Sequence, residues 1–181
     1  MLTWFQLKAA IGVLKIRVTE LSKLVDLNRF TIGKLEKTPN TEYLKCHTNT
    51  LLALELFFKN NDILFLDNFS ISLEPECLLK IPTKRKLTVF QLRASRAALS
   101  LSLVEFSKLT TFSIATLSNL EQGSILDYVK SDFIDTNILK QFFIKNSLTF
   151  PDDFNVRIDE WLYLLTIYIR LASLINLYIK T

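Results

Sequence analysis

Laid over itself with Leu2 on Leu87, the chain matches its own second half without a gap. Leu2-Thr3-Trp4-Phe5-Gln6-Leu7-Lys8-Ala9 falls on Leu87-Thr88-Val89-Phe90-Gln91-Leu92-Arg93-Ala94. The register holds through Glu20/Glu105, Ser22-Lys23-Leu24/Ser107-Lys108-Leu109, Thr31/Thr116 and Leu35-Glu36/Leu120-Glu121. It continues through Phe57-Phe58/Phe142-Phe143, Asn61/Asn146, Phe65/Phe150, Asp67/Asp152 and Phe69/Phe154. About a third of the aligned pairs are identical, and about a quarter of the others exchange one apolar residue for another. Self-similarity at a fixed offset is the mark of a duplicated structural unit. The chain is therefore expected to be two copies of one small domain, 1–74 and 87–158. They are joined by a basic linker, 75–86, that holds Pro75, Pro82, Lys80, Lys84, Arg85 and Lys86. A separate segment, 159–181, follows.

Composition narrows the chemistry. Of 181 residues 49% are hydrophobic and 14 are Phe, enough apolar surface to offset the entropy of ordering, so a wholly disordered or collagen-like chain is excluded. Any zinc site, Ser/His/Asp triad or Cys/His pair would have to be built on His47, the one histidine. Three glycines, Gly12, Gly33 and Gly123, leave no way to write a phosphate-cradling loop. These counts argue against an enzyme and against any cofactor, metal or small-molecule substrate. Cys46 and Cys77 stand far apart in the chain with no CxxC spacing, and the amino terminus lacks a basic stretch followed by a cleavage site. Both point to a reducing compartment.

Within the first copy, Phe5, Leu7, Ile11 and Leu14 recur at helical spacing, as do Val18, Leu21, Leu24 and Val25. Asp26-Leu27-Asn28 interrupts the pattern, and Asn28 is placed to cap a third helix carrying Ile32 and Leu35. A fourth helix is expected from about Asn49 to Phe58. Ile63 to Leu66 and Phe69 to Leu73 alternate around Asp67-Asn68, the pattern of a short hairpin with a two-residue turn. The second copy repeats the plan, with Pro151 expected to shorten its first strand. The fold class expected is mainly α, two tandem domains each ending in a short β-hairpin, with a long hydrophobic C-terminal helix.

Gln6 to Ala10, then Thr19 to Glu36, and their partners in the second copy, resemble the Cro/Xre-type helix-turn-helix family of DNA-binding regulators. The resemblance covers most of both copies, and the appended hairpin is similar to the ending of bacterial regulators of this family. It implies that the third helix of each unit enters the major groove while flanking groups hold phosphates. Carried over position by position, the base-facing residues of copy one are Arg29, Phe30 and Lys34, with Asn28 and Thr31 near the backbone. Lys23, Lys37 and the linker's Lys84, Arg85 and Lys86 would neutralise phosphates. Arg29 would suit the two acceptors of guanine. In copy two the matching positions are Ser113, Ile114, Ala115, Thr116 and Asn119, of which Asn119 suits adenine. Val18 and Leu103 stand where the family has a phosphate-gripping Gln at the start of the second helix. The family's structural ion pair is implied at Arg96 and Glu121, whereas copy one has Ile11 opposite Glu36.

From Trp161 to Ile179 the chain has neither Gly nor Pro, and apart from its tyrosines only Thr166, Arg170, Ser173 and Asn176 are polar. As a helix it would span about 28 Å at 1.5 Å per residue, near the thickness of a bilayer's hydrocarbon core. Trp161, Tyr178 and Lys180 sit as interfacial anchors would, but Arg170 lies in the middle at a cost of about 3 kcal/mol on insertion scales. A polar stripe running from Asp159 to Lys180 equally suits a helix packed on the protein's own domains or on a second copy. The sequence thus points to a transcriptional regulator that binds double-stranded DNA in the cytoplasm. Residues 159–181 would serve self-association or attachment to the cytoplasmic face of a membrane. The alternative is a scaffold that reuses the helix-turn-helix fold for protein contacts.

Overall fold

The computed structural model describes residues 1–25, 40–74, 86–130 and 135–159. The first repeat supplies α1 (Trp4–Leu14), α2 (Val18–Leu24), α3 (Thr48–Lys59), β1 (Ile63–Leu64) and β2 (Ser70–Leu73). The second supplies α4 (Val89–Ala98), α5 (Leu103–Thr110), α6 (Ile114–Leu120), α7 (Thr136–Lys145), β3 (Leu148–Thr149) and β4 (Asn155–Ile158). The described residues thus form a mixed fold of seven helices and one small antiparallel sheet. The expected third helix of copy one, most of the linker and the C-terminal helix lie outside them. No described helix is long and apolar enough to cross a membrane.

The most closely repeated motif is a local device with a long reach. Thr3 caps α1 in a reciprocal capping box with Gln6, and Thr88 caps α4 in the same way with Gln91. Both glutamines are fully buried, so their amide hydrogens need partners. Gln6 donates to the carbonyls of Asp67 and, at 3.0 Å, Ser70; Gln91 donates to those of Asp152 at 2.7 Å and Asn155 at 3.4 Å. The Thr3 and Thr88 hydroxyls donate to Asn68 O at 3.0 Å and Asp153 O at 2.8 Å. In the same loops Asp67 accepts from the amide of Phe69, and Asp152 from that of Phe154, each at 2.8 Å. The repeated Thr-x-x-Gln and Asp-x-Phe are therefore two halves of one clamp that fastens each hairpin loop to the start of a helix.

Asp67-Asn68 is not a two-residue turn. The registers Ile63↔Leu73 and Leu64↔Ser72 leave residues 65–71 without a partner in their own hairpin, because the clamp draws the chain away from β-pairing. Pro151 does not shorten its strand either, since β1 and β3 are both two residues long and the proline lies beyond the pairing. The larger correction concerns the hairpins, which are not separate endings of separate domains. They join in one sheet ordered β1-β2-β4-β3.

The register across the join identifies an internal two-fold axis. Ile71 pairs with Val156, its own counterpart in the duplication, while Ser70 pairs with Arg157 and Ser72 with Asn155. The two flanking pairs are exchanged about the central one, which is what an isologous interface requires. The pairing also covers the inner strands, leaving as edges only two-residue strands.

Helices α1 and α4 cross at the same axis. A Cβ built on Gly12 would lie 2.2 Å from the Cβ of Ala97 and 3.0 Å from the carbonyl oxygen of Arg93. Gly12 and Ala97 are themselves repeat counterparts, so the two helices touch at one equivalent position where only small residues fit. The core follows the repeat. Phe5/Phe90, Leu21/Phe106, Leu54/Leu139 and Phe58/Phe143 are fully buried counterparts, and all belong to one continuous cluster.

Ser95 breaks this economy, since its hydroxyl is wholly buried with no hydrogen-bond partner. Its counterpart is Ala10, also wholly buried. Ser95→Ala is expected to raise the unfolding free energy by about 1 kcal/mol, read as a higher urea midpoint at unchanged slope.

Candidate nucleic-acid interface

In the second repeat α5 and α6 form a tight pair. Ser102 caps α5 through a box in which its hydroxyl accepts from the amide of Glu105 at 3.2 Å and the Glu105 carboxylate accepts from the Ser102 amide at 2.8 Å. The Ser102 hydroxyl also donates to the Glu105 carboxylate at 2.7 Å, and this bond, followed by that of the Ser102 amide, holds the carboxyl below its ordinary range. Thr111 ends α5 in the left-handed region at φ 64°. Ser107 ties the turn by donating to Phe112 O at 2.6 Å. Ser113 then caps α6 by accepting from the Thr116 amide at 3.1 Å, and the Ser113 and Thr116 hydroxyls bond each other at 2.8 Å. Thr116 is thus engaged in the cap. Leu117 and Leu120 face the core, leaving Ile114, Ala115 and Asn119 along the outer side of α6.

The far end of α6 is held by two arginines of α4. Arg96 makes a two-pronged pair with the Glu121 carboxylate, its Nη2 at 2.8 Å from Oε2, and gives its Nη1 to Leu101 O at 2.7 Å. The Glu121 side chain is only 5% exposed. Arg93, also buried, donates through Nε to Glu121 O at 2.9 Å and through Nη2 to Gly123 O at 2.9 Å. Its Nη1 crosses to Val13 O of α1 at 3.2 Å. Burial pushes the Arg93 guanidinium's pKa down, outweighing an upward push from the Glu121 charge. A cation at a helix's C-terminal carbonyls is also favoured by the helix dipole.

The first repeat answers with different residues. Lys8, the counterpart of Arg93, donates to Asn40 Oδ1 at 3.2 Å, and Asn40 Nδ2 reaches Ala98 O of α4 at 2.7 Å. Each repeat therefore sends one polar side chain across the axis to the end of the other's first helix. Arg93 and Asn40 were not candidates from sequence. Their only signal was the Lys8/Arg93 match inside the best-matched stretch of the duplication.

Of the residues expected to meet DNA, Lys23 lies exposed in the last turn of α2, Lys86 is exposed ahead of α4, and Asn119 lies on α6. Asn28, Arg29, Phe30, Thr31, Lys34, Lys37, Lys84 and Arg85 lie outside the described residues. The outer face of the α5–α6 pair is nearly neutral: Lys108 is exposed there, beside Val104 at 49%, Leu109 at 57% and Ile114 at 45% exposure. At the internal axis a cleft of about 800 Å³ is lined by Lys15 and Arg96 from opposite repeats, with Glu105 and Glu121 facing them. Desolvation, then the nearby Arg93, pushes the Lys15 ammonium's pKa down. No protein-family model, curated protein or solved structure matches the chain.

Proposed function

We propose that the chain is a non-catalytic, duplex-DNA-binding transcriptional regulator of the Cro/Xre type, whose two helix-turn-helix units act as the two halves of an internal dimer. The observation that carries this reading is the axis through Ile71/Val156 and Gly12/Ala97. Half-sites on duplex DNA are related by two-fold symmetry, and proteins of this kind match it with a two-fold pair of reading helices. Here one polypeptide would supply both. The cations of the first unit and the linker would supply attraction to phosphate.

The two half-sites would then be unlike. Arg29 and Lys34 would favour guanine in one. In the other, Asn119 would pair with adenine while Ile114 and Ala115 touch thymine methyls. Selection of bound duplexes from a random pool should return a site with two unequal halves, bound by one chain per duplex. Asn119→Ala should cost about 1–3 kcal/mol against that site and relax preference in one half only. Arg29→Ala with Lys34→Ala should weaken binding and flatten its salt dependence. Absence of retention at about 50 mM salt would favour the second reading, a protein-contact scaffold, which draws on the exposed Val104, Leu109 and Ile114 beside a single lysine.

A further inference from the structure

A second surface of the α5–α7 region shares Leu109 with the outer face of the α5–α6 pair but is lined by no residue of α6. A groove of about 480 Å³ runs along α7, floored by Leu109, Ile138 and Phe142, with Asp135 at one end and Lys145 at the other. Leu109 is 57% and Ile138 53% exposed, so the groove presents apolar surface to solvent. The described chain finishes at this groove: Asp159 N donates to Ser147 O at 2.8 Å, just beyond Lys145. The rest of the chain, 160–181, starts there and is mostly apolar.

Charge spacing gives the direction. The interval from Asp135 to Lys145, about 15 Å along a helix, is the same as that from Glu160 to Arg170. Laid antiparallel on α7, a helix beginning at Glu160 would set that carboxylate against Lys145 and Arg170 against Asp135. The matching face of the first repeat is more apolar, with Leu52 and Leu56 exposed where α7 has Asn137 and Gln141. It nevertheless lacks both charges, since Thr50 and Asn60 stand in the places of Asp135 and Lys145. We infer that residues 160–181 fold back on their own chain into the α7 groove, with Arg170 answering Asp135. This accounts for a lone arginine in the middle of an apolar run, because a charge there needs an opposite charge rather than lipid. It also leaves the two-fold pairing of the repeats to the internal axis rather than to this segment.

The antiparallel register places Gln141 against Leu164. In full-length protein carrying Cys46→Ser and Cys77→Ser, Gln141→Cys with Leu164→Cys should oxidise to an intramolecular disulfide. It would be seen as a faster-migrating monomer on a non-reducing gel. Gln141→Cys with Asn176→Cys, about 18 Å further along the helix, should stay reduced. Adding Asp135→Asn, which keeps a capping side chain, or Arg170→Gln should each slow the first cross-link several-fold, and the two together no more than either alone. A disulfide-linked dimer would show that a second copy occupies the groove, and absence of any cross-link would leave the groove empty of this segment. Either result overturns the proposal.

Discussion

Gly12→Ala is expected to destabilise the protein by about 1–3 kcal/mol, although the same change in an unobstructed helix would add close to 1 kcal/mol of stability. The sign is decided by the crossing of α1 and α4, where the new methyl would lie 2.2 Å from Ala97 Cβ and 3.0 Å from the Arg93 carbonyl oxygen, both on α4. Because the two positions exchange across the axis, the space taken by one methyl can be returned by removing the other. Ala97→Gly alone should cost about 1 kcal/mol in helix propensity. The double variant, with the residues exchanged, should return to within about 1 kcal/mol of the wild type, a coupling far outside additivity. Urea titration with circular dichroism reads all four proteins. Additive losses in the double variant would mean that the helices do not meet at these residues.

Arg96→Ala is expected to cost about 3–5 kcal/mol, the range for removing one partner of a buried ion pair. The Glu121 carboxylate, 5% exposed in the pair, would be left without its two-pronged partner. The loss should appear in α6 first, since Arg96 joins the residue that ends it to α4 and to Leu101 O. Glu121→Gln should cost less, because an amide still accepts a hydrogen bond from the guanidinium. Replacing both at once, Arg96→Met with Glu121→Leu, should recover most of the loss, since well-packed apolar groups often match such a pair in stability. Copy one bears on this directly, having Ile11 where copy two has Arg96. Chemical denaturation of the single and double variants at neutral pH checks the ordering.

Much of the secondary structure was readable because it is written twice. The helical spacing of Phe5, Leu7, Ile11 and Leu14 lies on α1, the expected fourth helix from Asn49 to Phe58 is α3 at Thr48–Lys59, and the alternation of Ile63 to Leu73 contains β1 and β2. The relation between the repeats was not readable in this way. An offset shows that two units are alike and says nothing about which face of one meets the other. Ser70-Ile71-Ser72 reads as an ordinary half-buried strand, yet in the fold all three residues are buried, because β4 pairs along its free edge. Gly12 looks like a weak point inside a helix until Ala97 is placed against it.

The polar links are hidden for a similar reason. Arg93 and Lys8 are a conservative match in sequence, but Arg93 reaches Val13 O directly while Lys8 ends on Asn40, which makes the crossing itself. The candidate interface divides along the same line. The α5–α6 pair and its caps follow from Ser102, Glu105 and Ser113, residue types that prefer helix starts. The low charge of its outer face depends on which side chains the core takes, and this emerges only once Leu117 and Leu120 are seen to point inward.

Amide hydrogen exchange at Leu73 and Ile158 tests the internal two-fold most directly. Leu73 N donates to Phe154 O at 3.2 Å and Ile158 N to Phe69 O at 2.9 Å, so each of these bonds exists only between repeats. If the repeats form one body, both amides should exchange only at the rate of global unfolding, together with the core of α1 and α4. Fast exchange at both, with the two helices still protected, would mean that the hairpins are unpaired and that no shared sheet joins the repeats.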